Sequence, residues 1–129
     1  MFYNCSALDT FYVDMPNLID GEYMFRQCGG MTSFNSSLDN LENGCEMFLK
    51  CQSLTSFSAP YLGLVNGERM FYFCSALEHF SGNLSNLKSG EYMFGSDNGS
   101  TQCKLSIESV ENIADSIQDI RNMNRNTDS

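Results

Sequence analysis

The chain has 129 residues, 42% of them hydrophobic, which is the size of one ordinary domain. Sixteen acidic residues against seven basic ones give a formal net charge of -9. That charge repels phosphate backbones and anionic surfaces, so nucleic acid is not an expected partner. No stretch reaches the roughly 20 apolar residues that span a bilayer, so membrane insertion is not expected either. No basic-then-apolar run at the N-terminus forms a signal peptide.

One pattern recurs along the chain. Met-Phe opens it at Met1, Met24, Met47, Met70 and Met93, each 23 residues after the last. A strict period of this length is the signature of a solenoid, in which each repeat buries the apolar face of its neighbour. In the first repeat, Cys5, Leu8, Phe11 and Val13 are spaced to enter a strand. The expected strand covers Leu8 to Val13, with Leu8, Phe11 and Val13 pointing inward. Met15 and Leu18 continue the apolar side, Pro16 interrupts helix, and Gly21 offers a turn with positive φ. Glu22 to Cys28 then reads as about one helical turn.

The second unit repeats this with Met31, Phe34, Leu38, Leu41 and Gly44. The third uses Leu54, Phe57, Tyr61, Leu64 and Gly67, and the fourth Leu77, Phe80, Leu84, Leu87 and Gly90. Because every repeat returns in the same direction, its strands must pair in parallel. Residues 1–94 therefore form the repeats, and Gly95 to Ser100 is a cluster of turn residues that ends them. Cys103, Leu105 and Ile107 alternate with polar residues and read as one last strand within residues 95–108. A helix follows over residues 109–121, with Ser109 as N-cap and Val110, Ile113, Ala114, Ile117 and Ile120 on one apolar stripe. It would cap the last repeat, and the polar tail 122–129 would fray. The whole is a single domain of α/β class: a curved parallel β-sheet on one face, short helical turns on the other and a C-terminal capping helix.

Cys5, Cys28, Cys51 and Cys74 share one repeat position, which makes them a column of buried free thiols better than a disulfide framework. Cys45 and Cys103 fall outside that column. No Cys-x-x-Cys pair and no alternating acidic loop indicates a metal site, and no cofactor is expected. His79 is the single histidine, at a position held by Thr10, Ser33 and Ser56 elsewhere. A set of Ser56, His79 and Asp9 is easily assembled among so many serines and carries no catalytic meaning. The four Asn-x-Ser triplets, such as Asn35-Ser36-Ser37, are equally free in a chain rich in both residues.

The recurrent Met-Phe-x-x-Cys-x-x-Leu-x-x-Phe, with Met31 in the leucine place of the second copy, resembles the BspA-like bacterial leucine-rich repeats over roughly residues 1 to 94. The resemblance implies a non-enzymatic protein of a bacterial surface, or of a virion, acting in adhesion or recognition. It implies a protein or surface-glycan ligand and an extracellular location. One departure is that Asn17, Asn40 and Asn86 directly precede leucine, so the usual asparagine ladder is not reproduced.

The candidate site is the outward face of the sheet. With Leu8, Phe11 and Val13 inward, Thr10, Tyr12, Ser33, Asn35, Ser56, Ser58, His79 and Ser81 point out. This small, varied, polar strip suits recognition, whereas a spacer or assembly element would carry it without a ligand. At the other extreme, Phe2, Leu8 and Phe11 are expected to be partly exposed beside an uncapped edge, where the chain self-associates or further repeats precede it.

Overall fold

The computed structural model describes residues 2–97 and 103–116. Four short strands form one parallel sheet: β1 (Thr10–Phe11), β2 (Ser33–Asn35), β3 (Ser56–Ala59) and β4 (His79–Gly82). They lie in chain order, and α1 (Ile107–Ser116) packs beside β4. Thr10 stands opposite Ser33, Ser33 opposite Ser56, and Ser56 opposite His79, so each step across the sheet advances the chain by the same interval. The fold is thus of α/β class with four parallel strands.

The apolar positions of one period become columns across the sheet. Met24, Met47, Met70 and Met93 form one, and Phe25, Phe48, Phe71 and Phe94 the next, all buried. Phe11, Phe34, Phe57 and Phe80 form a second aromatic column. Within a column the rings stack, with Phe25 and Phe48 centred 5.3 Å apart and Phe34 and Phe57 also 5.3 Å apart. Between columns they meet edge to face, as Phe34 does with Phe48 at 5.1 Å. Both geometries place positive ring edge against negative ring face or offset it, adding about 0.5–1.5 kcal/mol per pair beyond simple burial.

Several expectations are corrected. The first strand is confined to Thr10–Phe11 and does not run from Leu8 to Val13. Val13 lies past the residues that pair with β2, no strand covers its outer side, and it is 63% exposed. Tyr61 is also out, 76% exposed, and Leu62 takes its place in the core. The shift follows from a turn in which the Leu62 N–H donates to the Ala59 carbonyl at 3.2 Å. It places an aliphatic side chain inside and leaves the phenol in water, where its hydroxyl needs no buried partner.

Glu22 to Cys28 is not a helical turn. Tyr23 and Gln27 adopt left-handed φ values of 61° each, which break any α-helical run. The feature recurs at Glu46 and Lys50 and at Arg69 and Phe73. It lets alternate amides point to the next pass of chain: Gly21, Tyr23, Phe25 and Gln27 donate to Asn43, Cys45, Met47 and Leu49 carbonyls at 2.7–3.2 Å. Amides between them close local turns, such as Met24 onto Gly21 and Arg26 onto Tyr23. The turn side is therefore a second hydrogen-bonded ladder. Gly21 itself has no positive φ; it is needed because an added Cβ would lie 2.9 Å from the Met47 sulfur.

An Asp/Asn ladder does exist, at a position different from Asn17, Asn40 and Asn86. Asp20, Asn43, Asn66 and Ser89 are joined by parallel bridges. Oδ1 of Asp20, Asn43 and Asn66 accepts the amide two residues on, and Asn43 Nδ2 donates to Asp20 Oδ1 at 3.1 Å.

At the far end, Cys103 to Ser106 is extended without forming the expected strand. Its Lys104 and Ser106 amides still donate to the Leu77 and Glu78 carbonyls, so it covers the approach to β4. The helix begins at Ile107, two residues earlier than expected, because Ser106 is the cap: its Oγ accepts the Ser109 amide at 3.1 Å. Ile107 consequently leaves the strand register and is 79% exposed. Of the expected stripe, Ile113 is buried, Val110 and Ala114 are exposed, and Ile117 and Ile120 lie outside the described residues, as does the tail.

Candidate functional site

The sheet brings the outward residues together in two lines. Thr10, Ser33, Ser56 and His79 form one by direct pairing, and Asn35, Ser58 and Ser81 the other. Tyr12 has the spacing of the second line but lies just beyond β1, exposed to solvent. Asn35, His79 and Ser81 are exposed, while Thr10, Ser33, Ser56 and Ser58 are half-buried. Side chains on adjacent parallel strands stand about 4.8 Å apart, so the strip presents hydroxyl, amide and imidazole groups at a regular interval.

Two further residues join it from α1. Ser56, Ser58, His79 and Ser81 line a groove of about 190 Å³ with Glu108 and Asn112, while Phe57, Phe80 and Ser109 form its floor. Glu108 and Asn112 were not foreseen, because a helix starting at Ser109 leaves Glu108 on a strand. The signal that could have found them is their separation of four, which puts both on one helix face. The floor is rigid. Ser109 is buried, its Oγ accepts the Phe80 amide at 3.0 Å, and its hydroxyl lies 3.3 Å from the Glu78 carbonyl.

His79 pairs with its neighbour Glu78, Nε2 to Oε1 at 3.6 Å, with both side chains mostly in water. The groove therefore offers donors and acceptors for a polar surface. Among the described residues no group of three His, Cys, Asp or Glu stands ready to hold a metal ion.

The thiols are the other candidate nucleophiles. Cys28, Cys51 and Cys74 are buried, and all six cysteines are free. Their Sγ atoms donate to the carbonyls of Phe2, Phe25 and Phe48 at 2.8–3.1 Å, always toward the preceding pass of chain. Cys103 continues this column onto the Phe71 carbonyl at 3.4 Å, contrary to the expectation that it falls outside. The residue one period after Cys74 is Asp97, which instead accepts from the Tyr72 hydroxyl. Burial pushes the Cys51 thiol up to about 12 and raises Cys28, Cys74 and Cys103 as well. Cys45 rises to about 11 through burial and the carboxylates of Glu68, Glu46 and Glu22. A thiol so shifted carries no useful thiolate at neutral pH.

The turn side carries a second surface. Arg26 lies 5.6 Å from the rings of Tyr3 and of Tyr23, Arg69 lies 5.8 and 5.6 Å from Tyr72 and Tyr92, and Lys50 sits over Phe73. Arg26, Lys50 and Arg69 line a recess of about 310 Å³ together with Glu46 and Asp97. Arg26 Nε is 3.4 Å from Glu46, and Arg69 is 3.9 Å from Glu68. With these carboxylates beside the cations, the surface is a self-compensating lattice of charge and ring.

Among the described residues no helix is long and apolar enough to cross a membrane. No protein-family model, no curated protein and no solved structure matches this chain.

Proposed function

We propose that this chain is a leucine-rich-repeat solenoid of the BspA-like type that binds another macromolecule through the outward face of its sheet, without catalysing a reaction. The observation that carries the reading is the register in which Thr10, Ser33, Ser56 and His79 pair. It sets variable polar side chains in line on a scaffold whose columns of Phe, Met and Cys do not vary. Such a surface can be altered position by position with little effect on packing, which is what a recognition module requires. The groove between His79 and Asn112 adds one concave feature to an otherwise shallow strip. A bacterial surface or virion is the setting, on the resemblance of the repeat, and the ligand is a protein or a surface glycan.

The test is a triple variant, Tyr12→Ala, Asn35→Ala and His79→Ala, on three exposed side chains. The labelled chain and the variant are applied to glycan and peptide microarrays, and both are melted. Specific binding by the parent, lost in a variant with unchanged melting, supports recognition. Binding that persists in the variant, or no binding by the parent, supports a spacer without a ligand on this face.

A further inference from the structure

Two packing requirements meet at one place on every pass of the turn side. The ladder position holds Asp20, Asn43, Asn66 and Ser89, and a glycine follows each of them: Gly21, Gly44, Gly67 and Gly90. The polar residue serves the ladder, since its Oδ1 accepts the amide two residues on in the first three copies. The glycine serves the core. An added Cβ would lie 3.0 Å from Leu64 and Met70 at Gly44, and 2.9 Å from Leu64 and Met93 at Gly67. The two inner rungs therefore carry asparagine followed by glycine, the pair that loses its side-chain amide most readily, because no Cβ shields the following backbone nitrogen.

In that loss the glycine nitrogen attacks Cγ of the asparagine. A C–N bond closes a five-membered succinimide, the Cγ–Nδ2 bond breaks, and the proton from the glycine nitrogen leaves with the amide as ammonia. Water then opens the ring at either carbonyl, giving an aspartyl residue or an isoaspartyl one whose backbone runs through Cβ. The fold opposes the first step at each group involved. Gly44 and Gly67 are buried, and their amides donate to the Asn66 and Ser89 carbonyls at 2.8 and 2.7 Å. Asn43 Oδ1 is held by the Cys45 amide at 3.1 Å and its Nδ2 by Asp20 Oδ1 at 3.1 Å, while Asn66 Oδ1 is held by the Glu68 amide at 3.0 Å.

We propose that Asn43 and Asn66 are latent deamidation sites, kept closed by the turn-side ladder and released where that ladder opens, so that an opening which reacts is recorded irreversibly as a new carboxylate. At Asn43 the record also hinders closure. Its Nδ2 is the donor to Asp20, so deamidation sets one carboxylate against another where 3.1 Å had separated donor from acceptor. The isoaspartyl form further lengthens the backbone within a fixed period, which moves the following amides off the carbonyls they reach.

Incubation of the intact chain at mildly alkaline pH, with and without urea, tests this by peptide mapping of the acid forms. Both sites should convert at least tenfold faster in urea than in buffer. Asn40 is exposed but precedes Leu41, and it should keep its amide in both. Mapping separates these peptides from the one with Asn98 and Gly99, which lie outside the described residues. The effect on closure is read from Asn43→Asp, which should lower the urea midpoint. Adding Asp20→Asn returns a donor to the pair and should restore it. Equal conversion in buffer and urea, conversion of neither site in urea, or an Asn43→Asp chain as stable as the parent or not rescued by Asp20→Asn would overturn the proposal.

Discussion

The thiol column ties individual side chains to the behaviour of the whole protein in alkali. Cys28, Cys51 and Cys74 each lie buried in the apolar core and donate to a backbone carbonyl, so the neutral thiol is the form the fold accommodates. Their folded pKa values lie above those of the unfolded chain. Below the ordinary thiol pKa both states hold the proton and stability does not depend on it. As pH climbs past that value the unfolded chain releases protons that the native chain retains, so stability falls, by roughly 1.4 kcal/mol per pH unit for each thiol fully in this window. The expected result is a denaturation midpoint that is flat through neutrality and declines steadily from about pH 9 toward 12 for Cys51. Urea titrations at stepped pH measure it, and a midpoint that stays level in that range would contradict the burial of the thiols. Glycine acts at the same scale by what it omits: Gly44 leaves room for Met70 and Leu64, whose nearest atoms would lie 3.0 Å from an added Cβ.

Among the elements, α1 matters more for the backbone it completes than for the apolar stripe it was expected to offer. Ile113 is its buried aliphatic residue among those described, and Ser109 closes the edge of β4 by accepting the Phe80 amide. Ser109→Ala leaves that buried donor without its partner and should cost about 2 kcal/mol. Ser106→Ala removes only an N-cap and should cost about 1 kcal/mol. Thermal melts of the two variants check the order, and an equal or reversed loss would remove Ser109 from this role. The four strands and inward columns were legible in the sequence because the same spacing recurs in every unit, so an error in one was outvoted by the others. The outward lines through Thr10, Ser33, Ser56 and His79 followed from alternation alone. Single events were not legible. Cys103 rejoins the thiol column after extra residues, and the cap at Ser106 competes with an equally plausible Ser109. Leu62 replaces Tyr61 by a shift that only the turn at Ala59 decides. The left-handed residues at Tyr23 and Gln27 had no signal either, since neither residue type favours that conformation and only the amides they aim at the next pass explain it.

At the scale of the molecule, several side-chain hydrogen bonds join one pass of chain to the next at the same separation. Asp9 accepts from Thr32, Asp20 from Asn43 and the Thr32 carbonyl from Thr55, each across 23 residues. The interface that rung two presents to rung three is therefore nearly the same as the one rung three presents to rung four. Excising residues 47–69 joins Glu46 to Met70 in the phase that Met47 occupied, and leaves both flanking surfaces intact. The shortened chain should fold, with a lower melting temperature and a smaller urea m-value because one interface is gone. A random-coil circular dichroism spectrum would show that some long-range contact holds the array together instead. The proportions of the molecule are in this sense adjustable. If the shortened chain folds, length can grow or shrink in whole periods without inventing a new core, and the polar strip lengthens or shortens with it, one residue of each line at a time.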